Sequence, residues 1–152
     1  SDSVQNAKDY LRDIAGIRVI CYFIDDIYNL VNALKRQSEL IFIREKDYIQ
    51  NPKPNGYRSF HVIIAVPVYY LDTMEYFPVE IQLRTMTMDL WASMEHRVCY
   101  KKLPEHRDEL AEAFCQYADI LGKIEEQFEA YNETGMLEEI TPAQITENPT
   151  EG

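Results

Sequence analysis

Polar side chains of three different kinds alternate with aliphatic ones in the segment FPVEIQLRT, residues 77–85. Glu80, Gln82 and Arg84 share one parity, and aliphatic residues occupy the positions between them. A period of two predicts a β-strand with one buried face. On the other face, the carboxylate of Glu80 is suited to binding a divalent cation or accepting a proton. Edge strands also expose charged rows of this kind, so a solvated face is the alternative.

A second polar segment, KPNGYRSFH, spans residues 53–61. Its proline and its Asn-Gly pair predict a loop. Lys53 supplies a cation, Tyr57 a flat ring, and His61 follows on a predicted strand. Because nucleobases stack on aromatic rings and phosphates need cations, this combination favours a nucleotide site. The alternative is a hairpin loop with an incidental tyrosine and a core histidine.

Two further charged residues accompany an apolar strand near the start of the chain, in the segment DIAGIRV. Asp13 stands at the mouth of this strand, and Arg18 lies inside it. Taken alone, a capping acid and an ion-paired arginine explain both. The sequence contains neither a P-loop nor a G-x-G-x-x-G motif, so a nucleotide would bind without either of these loops.

The elements that position these residues follow from hydrophobic periodicity and turn signals. A short N-terminal helix over residues 3–11 comes first. It is followed by a strand, a helix, three strands and two helices. The strands are predicted over residues 14–23, 39–49, 58–70 and 77–84, with a turn over 70–76; the first of them is expected to be largely buried. The later helices are predicted over 87–100 and from 104 to about 131. This order indicates an α+β (mixed α/β) fold with a mixed sheet of about five strands, in which the first two strands form a parallel pair.

The net charge of −11 is confined to the last third of the chain. Residues 1–102 hold thirteen acidic and thirteen basic residues, whereas residues 103–152 hold thirteen acidic and two basic ones. An acidic segment disfavours broad binding to duplex nucleic acid or membrane surfaces. No apolar run approaches the ~18 residues that span a bilayer, and three scattered cysteines indicate reduced thiols in a cytoplasmic protein.

Four segments, in this order and spacing, resemble the synthetase domain of RelA/SpoT-type alarmone synthetases. They are DIAGIRV, NPKPNGYRSFH, VEIQLRT and WASMEH, the last followed by a Tyr-Lys pair, and they span about two thirds of the chain. The resemblance implies a nucleotidyltransferase-like synthetase fold and, by length, a small alarmone synthetase. It implies a GTP pyrophosphokinase (GTP diphosphokinase) of the stringent response, a transferase that moves pyrophosphate from ATP to the 3′-hydroxyl of GDP or GTP. The products are AMP and (p)ppGpp, the cofactor is Mg²⁺, and the expected assembly is a homotetramer.

The resemblance also implies roles for individual residues. Asp13 and Glu80 match the metal-binding and catalytic carboxylates, with Glu80 activating the acceptor hydroxyl. Arg18 matches an arginine that stacks on adenine, and Tyr57 matches the ring that stacks on guanine. The remaining matched positions surround the acceptor nucleotide: Lys53, His61 and Gln82 near its phosphates, and Asn55 and Ala92 near the guanine edge. Arg84, Glu95 and His96 belong to the motifs without an assigned role, and Asp89 stands where some relatives have Asn.

One family feature is missing before the first motif. Relatives carry a basic loop, R-x-K-x-x-x-S-x-x-x-K, that grips the ATP phosphates, whereas only Lys8 and Arg12 supply bases before Asp13. We therefore expect a fragment or shortened form with a complete acceptor site and an incomplete donor site. Residues 1–133 are assigned to the synthetase domain without this loop, ending in a long helix, and residues 134–152 to an acidic tail.

Two other functions stay open on the sequence. A catalytically incomplete guanine-nucleotide-binding or assembly module of the same fold would bind GDP or GTP without turnover. An RNA-binding domain is disfavoured by the acidic last third and the lack of a basic stripe. The final helix has an apolar face whose first half should pack on its own domain and whose remainder is available as a subunit interface. This face comprises Leu110, Ala113, Phe114, Tyr117, Ala118, Leu121, Ile124 and Phe128.

Overall fold

The computed structural model describes residues 15–100 and 104–134. Its elements in chain order are β1 (Ala15–Cys21), α1 (Ile24–Lys35), β2 (Ile41–Asp47), β3 (Phe60–Tyr70), β4 (Thr73–Thr85), α2 (Met86–Cys99), a 3₁₀ turn (Pro104–His106) and α3 (Arg107–Thr134). The predicted helix over residues 3–11, Asp13 and the acidic tail beyond residue 134 lie outside the described residues. Within the described part, no helix is both long enough and apolar enough to cross a membrane.

The strands form one mixed sheet in the order β1-β4-β3-β2. β1 is parallel to β4, and the other two pairs are antiparallel. The predicted α+β class with a mixed sheet is confirmed, but the described residues form four strands instead of about five. The predicted parallel pair of the first two strands is wrong, because the β3–β4 hairpin lies between them and leaves β1 and β2 at opposite edges.

The expectation that β1 is largely buried is also wrong. Ile17 and Ile20 are 51% and 44% exposed. The physical reason is topological: within the described residues β1 is an edge strand that pairs with β4 alone. Its β-branched composition indicated a strand correctly, but composition does not distinguish a central strand from an edge strand.

The hairpin is tighter than the predicted turn over residues 70–76. β3 and β4 are joined by only two residues, Leu71 and Asp72, with Leu71 in the left-handed region at φ 51°. Pro67 lies within β3 without ending it. It is tolerated because β2 pairs with β3 only as far as Ala65, so the missing N–H of Pro67 interrupts no bond to β2.

The two faces of β4 differ as its sequence predicted. Ile81 and Leu83 are buried in a core that α1 covers with Ile27 and Val31. The even-numbered residues of β4 lie on the opposite face. A second apolar cluster of Trp91, Phe114 and Ala118 joins α2 to α3, which confirms that the first half of α3 packs on its own domain.

Truncation of the central core residue should reveal how much the sheet depends on this face. Leu83 is fully buried, so Leu83→Ala is expected to lower the free energy of unfolding by about 2–5 kcal/mol. Leu71→Ala removes the same atoms from a side chain that is 87% exposed, and it should change stability by no more than about 0.5 kcal/mol. Urea unfolding of both variants tests this, and equal losses would contradict the assigned core.

Candidate active site

The polar face of the sheet carries two rows of side chains that cross all four strands. In the first row Arg18, Gln82, His61 and Lys46 are successive cross-strand neighbours. In the second row Gly16, Glu80, Ile63 and Arg44 are neighbours in the same way. Directly opposed residues have Cβ atoms about 5 Å apart. The residues of each row therefore lie side by side across the sheet.

A β-bulge in β2 places two of these cations on the polar face. Phe42 pairs with Ile64, but Arg44 pairs with Ile63, so Ile43 is an extra residue in the ladder. The extra residue reverses the parity of the strand. Phe42 can therefore pack against the core, while Arg44 and Lys46 lie on the opposite face.

Two clefts open on the polar face and share one carboxylate. The β1 cleft, of about 230 Å³, is lined by Gly16, Ile17, Arg18, Glu80 and Gln82. The β3 cleft, of about 150 Å³, is lined by Arg44, Lys46, Tyr48, Lys53, His61, Ile63 and Glu80. Glu80 is the acid that lines both clefts, and cations accompany it on each side. This arrangement is suited to two anionic molecules that meet at one carboxylate.

The loop before β3 holds Tyr57 against the β3 cleft. The Asn55 side-chain oxygen accepts a hydrogen bond from the Tyr57 N–H at 3.0 Å, and Lys53 and Tyr57 close the loop through their backbone groups. The Lys53 ammonium lies 5.1 Å from the Tyr57 ring centroid and 4.9 Å from that of Tyr48. The aromatic loop and its cation are therefore brought together as the sequence predicted.

Arg84 ties this loop to the rest of the site. Its side chain is only 8% exposed. The guanidinium donates to the Tyr57 hydroxyl at 2.9 Å, to Asp89 at 3.2 Å and to Gln82 at 3.4 Å. A buried guanidinium is costly unless its charge is paired, so these partners make Arg84 a structural centre that its motif position did not reveal.

Helix α2 supplies the carboxylate of this pair. The N-cap residue Thr85 directly follows Arg84, and its hydroxyl accepts the N–H of Met88. The first turn of α2 therefore starts at the end of β4 and brings Asp89 back over Arg84. Asp89 also lies 3.6 Å from Arg18, so one carboxylate serves an arginine on each of two neighbouring strands.

His61 is half-buried between Tyr57 and Glu80. Its Nε2 lies 2.9 Å from the Tyr57 hydroxyl, and its Nδ1 lies 3.8 Å from Glu80. Burial lowers the pKa of His61, and the positive charge of Arg84 adds to this effect, while Glu80 opposes it. The balance favours a neutral imidazole at neutral pH.

Asn55 and Ala92 lie near a third opening, between the loop and the two long helices. This helix cleft, of about 240 Å³, is lined by Asn55, Glu95, Cys99, Arg107, Leu110, Ala111 and Phe114. Ala92 is one turn before Glu95 on the same face of α2, and it packs with Tyr57 against the Trp91 cluster. Asn55 thus bonds the Tyr57 backbone, and Ala92 packs against the same apolar cluster as Tyr57.

Of the nine residues to which the resemblance assigned a role, six line these clefts. Tyr57 and Ala92 pack against the Trp91 cluster, and Asp13 falls outside the described residues. Sequence reasoning missed Arg44, Lys46 and Tyr48. The R-x-K spacing in β2 was an available signal, since it places both cations on one strand face. The three apolar residues before this pair, Ile41 to Ile43, do not alternate with polar ones. The sequence therefore did not show which face of the sheet the two cations occupy.

Solved structures identify the fold. The chain is similar to small alarmone synthetase 2 from Bacillus subtilis, with a TM-score of 0.70 and 44% identity over 78% of this chain and 65% of that chain. It is also similar to small alarmone synthetase 1 from Bacillus subtilis bound to its product pppGpp, with a TM-score of 0.69 and 27% identity over 80% and 61% of the two chains. The domain therefore has the synthetase fold of the small alarmone synthetases.

Comparison with related sequences gives the same family as the solved structures. The family model described as the region found in RelA/SpoT proteins matches residues 2–105. GTP pyrophosphokinase YwaC from Bacillus subtilis (strain 168) is 46% identical over 125 residues, which cover 82% of this chain and 60% of the relative. GTP pyrophosphokinase YjbM from the same strain is 37% identical over 91 residues, which cover 60% of this chain and 43% of the relative. The chain belongs to the RelA/SpoT family, and it spans less than two thirds of either curated relative.

The tightest backbone constraint at the site is Gly56, which has φ +96°. A Cβ there would lie 3.1 Å from both the Ala118 Cβ and the Cys115 Cα of α3. Gly56→Ala is therefore expected to lower the free energy of unfolding by roughly 1–3 kcal/mol and to displace Tyr57.

Gly16→Ala is the matched control, because a Cβ at Gly16 would meet nothing within 4 Å. Denaturant unfolding compares the two variants. A Gly56→Ala protein as stable as the Gly16→Ala protein would show that the loop does not need this conformation.

Proposed function

We propose that this protein is a (p)ppGpp synthetase that transfers the pyrophosphoryl group of ATP to the 3′-hydroxyl of GDP or GTP. The observation that carries the proposal is the position of Glu80, in the β1 cleft and the β3 cleft at once. A transfer between two nucleotides needs both substrates to meet at one acid–base group. Membership of the RelA/SpoT family supports the same reaction.

ATP is assigned to the β1 cleft. The Arg18 side chain is 53% exposed, so its flat guanidinium is open to stacking on adenine. Its ion pair with Asp89 restricts its position on β1 before the nucleotide arrives. ATP binding would place the reacting phosphates toward Glu80 and Gln82, which line the same cleft.

GDP or GTP is assigned to the β3 cleft and the adjoining helix cleft. The Tyr57 ring offers a stacking surface for guanine, and Asn55 and Ala92 are proposed to contact the edge of the base. The groups proposed to bind the acceptor phosphates and ribose are Lys53, Gln82, Arg44 and Lys46, and His61 lines the same cleft. A cluster of cations above a single carboxylate favours a polyanionic acceptor over a neutral nucleoside.

The carboxylate oxygens of Glu80 are suitable ligands for Mg²⁺. Magnesium in proteins is usually held by one or two carboxylates together with substrate phosphates, and Glu80 is the carboxylate that lines both clefts. Asp13 is proposed as the second carboxylate by its motif position. When bound, the ion would neutralise charge on the triphosphate.

In the proposed reaction, Glu80 accepts the proton of the acceptor 3′-hydroxyl. The resulting oxygen forms a bond to the β-phosphorus of ATP. The bond between that phosphorus and the α–β bridging oxygen breaks, and its electron pair leaves with AMP. Arg18 and Tyr57 orient the two bases, so that the hydroxyl and the phosphorus meet in line.

A product assay tests the function directly. The chain is mixed with Mg²⁺, ATP and either GDP or GTP, and the nucleotides are separated by ion exchange. A peak of (p)ppGpp with an equal amount of AMP is expected. GDP binding without any product would overturn the synthetase proposal and favour the nucleotide-binding module.

Glu80→Gln isolates the proposed base. The amide keeps the shape of the side chain but cannot accept the proton, so turnover should fall by about 10²–10⁴-fold. GDP affinity, measured by calorimetry, should change much less. Glu75→Gln makes the same chemical change at an exposed position of β4 and should leave turnover unaltered, whereas unchanged turnover in Glu80→Gln would remove Glu80 from the mechanism.

We also propose that the protein self-associates, as a tetramer by family resemblance. An apolar stripe on α3 is exposed: Tyr117 49%, Ile120 53%, Ile124 42%, Phe128 62% and Tyr131 53%. With Leu90 and Met94 of α2, the start of this stripe lines an apolar groove of about 500 Å³. Large exposed apolar patches are typical of protein interfaces.

The substrates ATP and GDP or GTP are consistent with the expected cytoplasmic location.

A charge placed in this stripe should weaken self-association. Ile120→Lys is expected to reduce the mass measured by light scattering toward that of the 17.9 kDa monomer, because burying an unpaired ammonium is costly. Glu126→Gln also raises the net charge by one unit, but on a different face of α3, and should leave the mass unchanged. A wild-type chain that is monomeric at high concentration would refute the proposal.

A further inference from the structure

A continuous series of polar contacts runs from Arg84 to Glu80 through two aromatic residues. Arg84 donates to the Tyr57 hydroxyl at 2.9 Å, and that hydroxyl lies 2.9 Å from Nε2 of His61. The other ring nitrogen of His61, Nδ1, lies 3.8 Å from Glu80. The first two contacts, from Arg84 to Tyr57 and from Tyr57 to His61, are hydrogen bonds, whereas His61 faces the proposed base at a longer distance.

The chemistry of the first residue determines the direction of these bonds. A guanidinium has donors only, so the Tyr57 oxygen must accept from Arg84. If Nε2 of His61 also carried a proton, the Tyr57 oxygen would accept twice. Its own proton would then have no acceptor among the described residues. When the Tyr57 hydroxyl instead donates to an unprotonated Nε2, the hydroxyl proton and the Nε2 lone pair each have a partner.

An imidazole with a single ring proton must then carry it on Nδ1, the nitrogen nearest Glu80. We propose that Arg84 and the Tyr57 hydroxyl hold His61 in the Nδ1–H tautomer, with this N–H directed at Glu80. The separation of 3.8 Å exceeds the usual N–H···O distance of about 2.9 Å. A movement of the Glu80 carboxylate by about 1 Å would complete the bond.

The consequence for the reaction rests on the proposed function. A hydrogen bond from His61 would orient the Glu80 carboxylate without using the oxygen that accepts the proton. Tyr57 would then act twice: its ring binds the acceptor base, and its hydroxyl sets the donor beside the catalytic carboxylate. Arg84 and the hydroxyl of Tyr57 are positioning groups in this scheme, because they act on Glu80 through His61.

The tautomer can be read directly by ¹⁵N NMR of the histidine rings in this chain at neutral pH, without nucleotide. The chain has three histidines, so single His→Gln variants assign each ring. In the wild type we expect Nδ1 of His61 to be protonated and Nε2 to be unprotonated. A wild-type His61 protonated at Nε2 alone would overturn the proposal, whatever the variants do.

Tyr57→Phe removes the hydroxyl and keeps the ring. We expect the Nδ1–H form of His61 to lose its dominance, because Nε2 no longer has a donor. Tyr48→Phe is the matched control: its ring centroid lies 5.4 Å from that of His61, but its hydroxyl is not the one that bonds Nε2. An unchanged tautomer in Tyr57→Phe, or an equal change in Tyr48→Phe, would contradict the proposed role of the Tyr57 hydroxyl.

Kinetics separate this inference from the proposed function. If the chain makes (p)ppGpp, Tyr57→Phe should lower kcat by about 10- to 100-fold and change KM for GDP much less, since the stacking ring remains. A change in KM alone would overturn the link to Glu80. A chain that makes no product but shows the Nδ1–H tautomer would refute the synthetase proposal and leave the assigned hydrogen bonds intact.

Discussion

The buried guanidinium of Arg84 is the interaction on which the rest of this site depends. A charge that is 8% exposed is tolerated only where fixed partners replace water. Here the partners come from three places in the chain: Gln82 on the same strand, Tyr57 in the loop before β3, and Asp89 in the first turn of α2. Pairing one buried cation with these groups therefore fixes the aromatic loop and the helix relative to the sheet. Asp89 extends the effect to Arg18 on the neighbouring strand.

The sheet separates stability from chemistry by using its two faces differently. One face is apolar and packs against α1, which gives β4 a rigid position. Among the described residues, the other face presents cations around one carboxylate, Glu80. The bulge at Ile43 allows β2 to contribute to both faces, with Phe42 in the core and Arg44 in the cleft. Rigid strands hold charged groups more accurately than loops do, which suits the proposed transfer between two nucleotides.

Helix α3 connects the site to the surface of the molecule. Its buried residues Phe114 and Ala118 pack with Trp91, and the backbone of Cys115 approaches Gly56 closely. The same helix exposes an apolar stripe on another face. Self-association through that stripe would therefore act on the element that supports the Tyr57 loop. The exposed stripe and the contacts that support the Tyr57 loop are thus on one helix.

The sequence by itself determined the local features. The alternation around Glu80 predicted a two-faced strand, the Pro and Asn-Gly signals predicted the Tyr57 loop, and the order of four motifs indicated the RelA/SpoT family. These features depend on residues close together in the chain, where periodicity and turn chemistry are informative. Only the tertiary structure decided that β1 pairs with β4, that Ile43 reverses the parity of β2, and that Arg84 bonds Tyr57 and Asp89. Each of these depends on contacts between distant segments, and the free energy of burying a surface or pairing a charge is defined only once those segments have met.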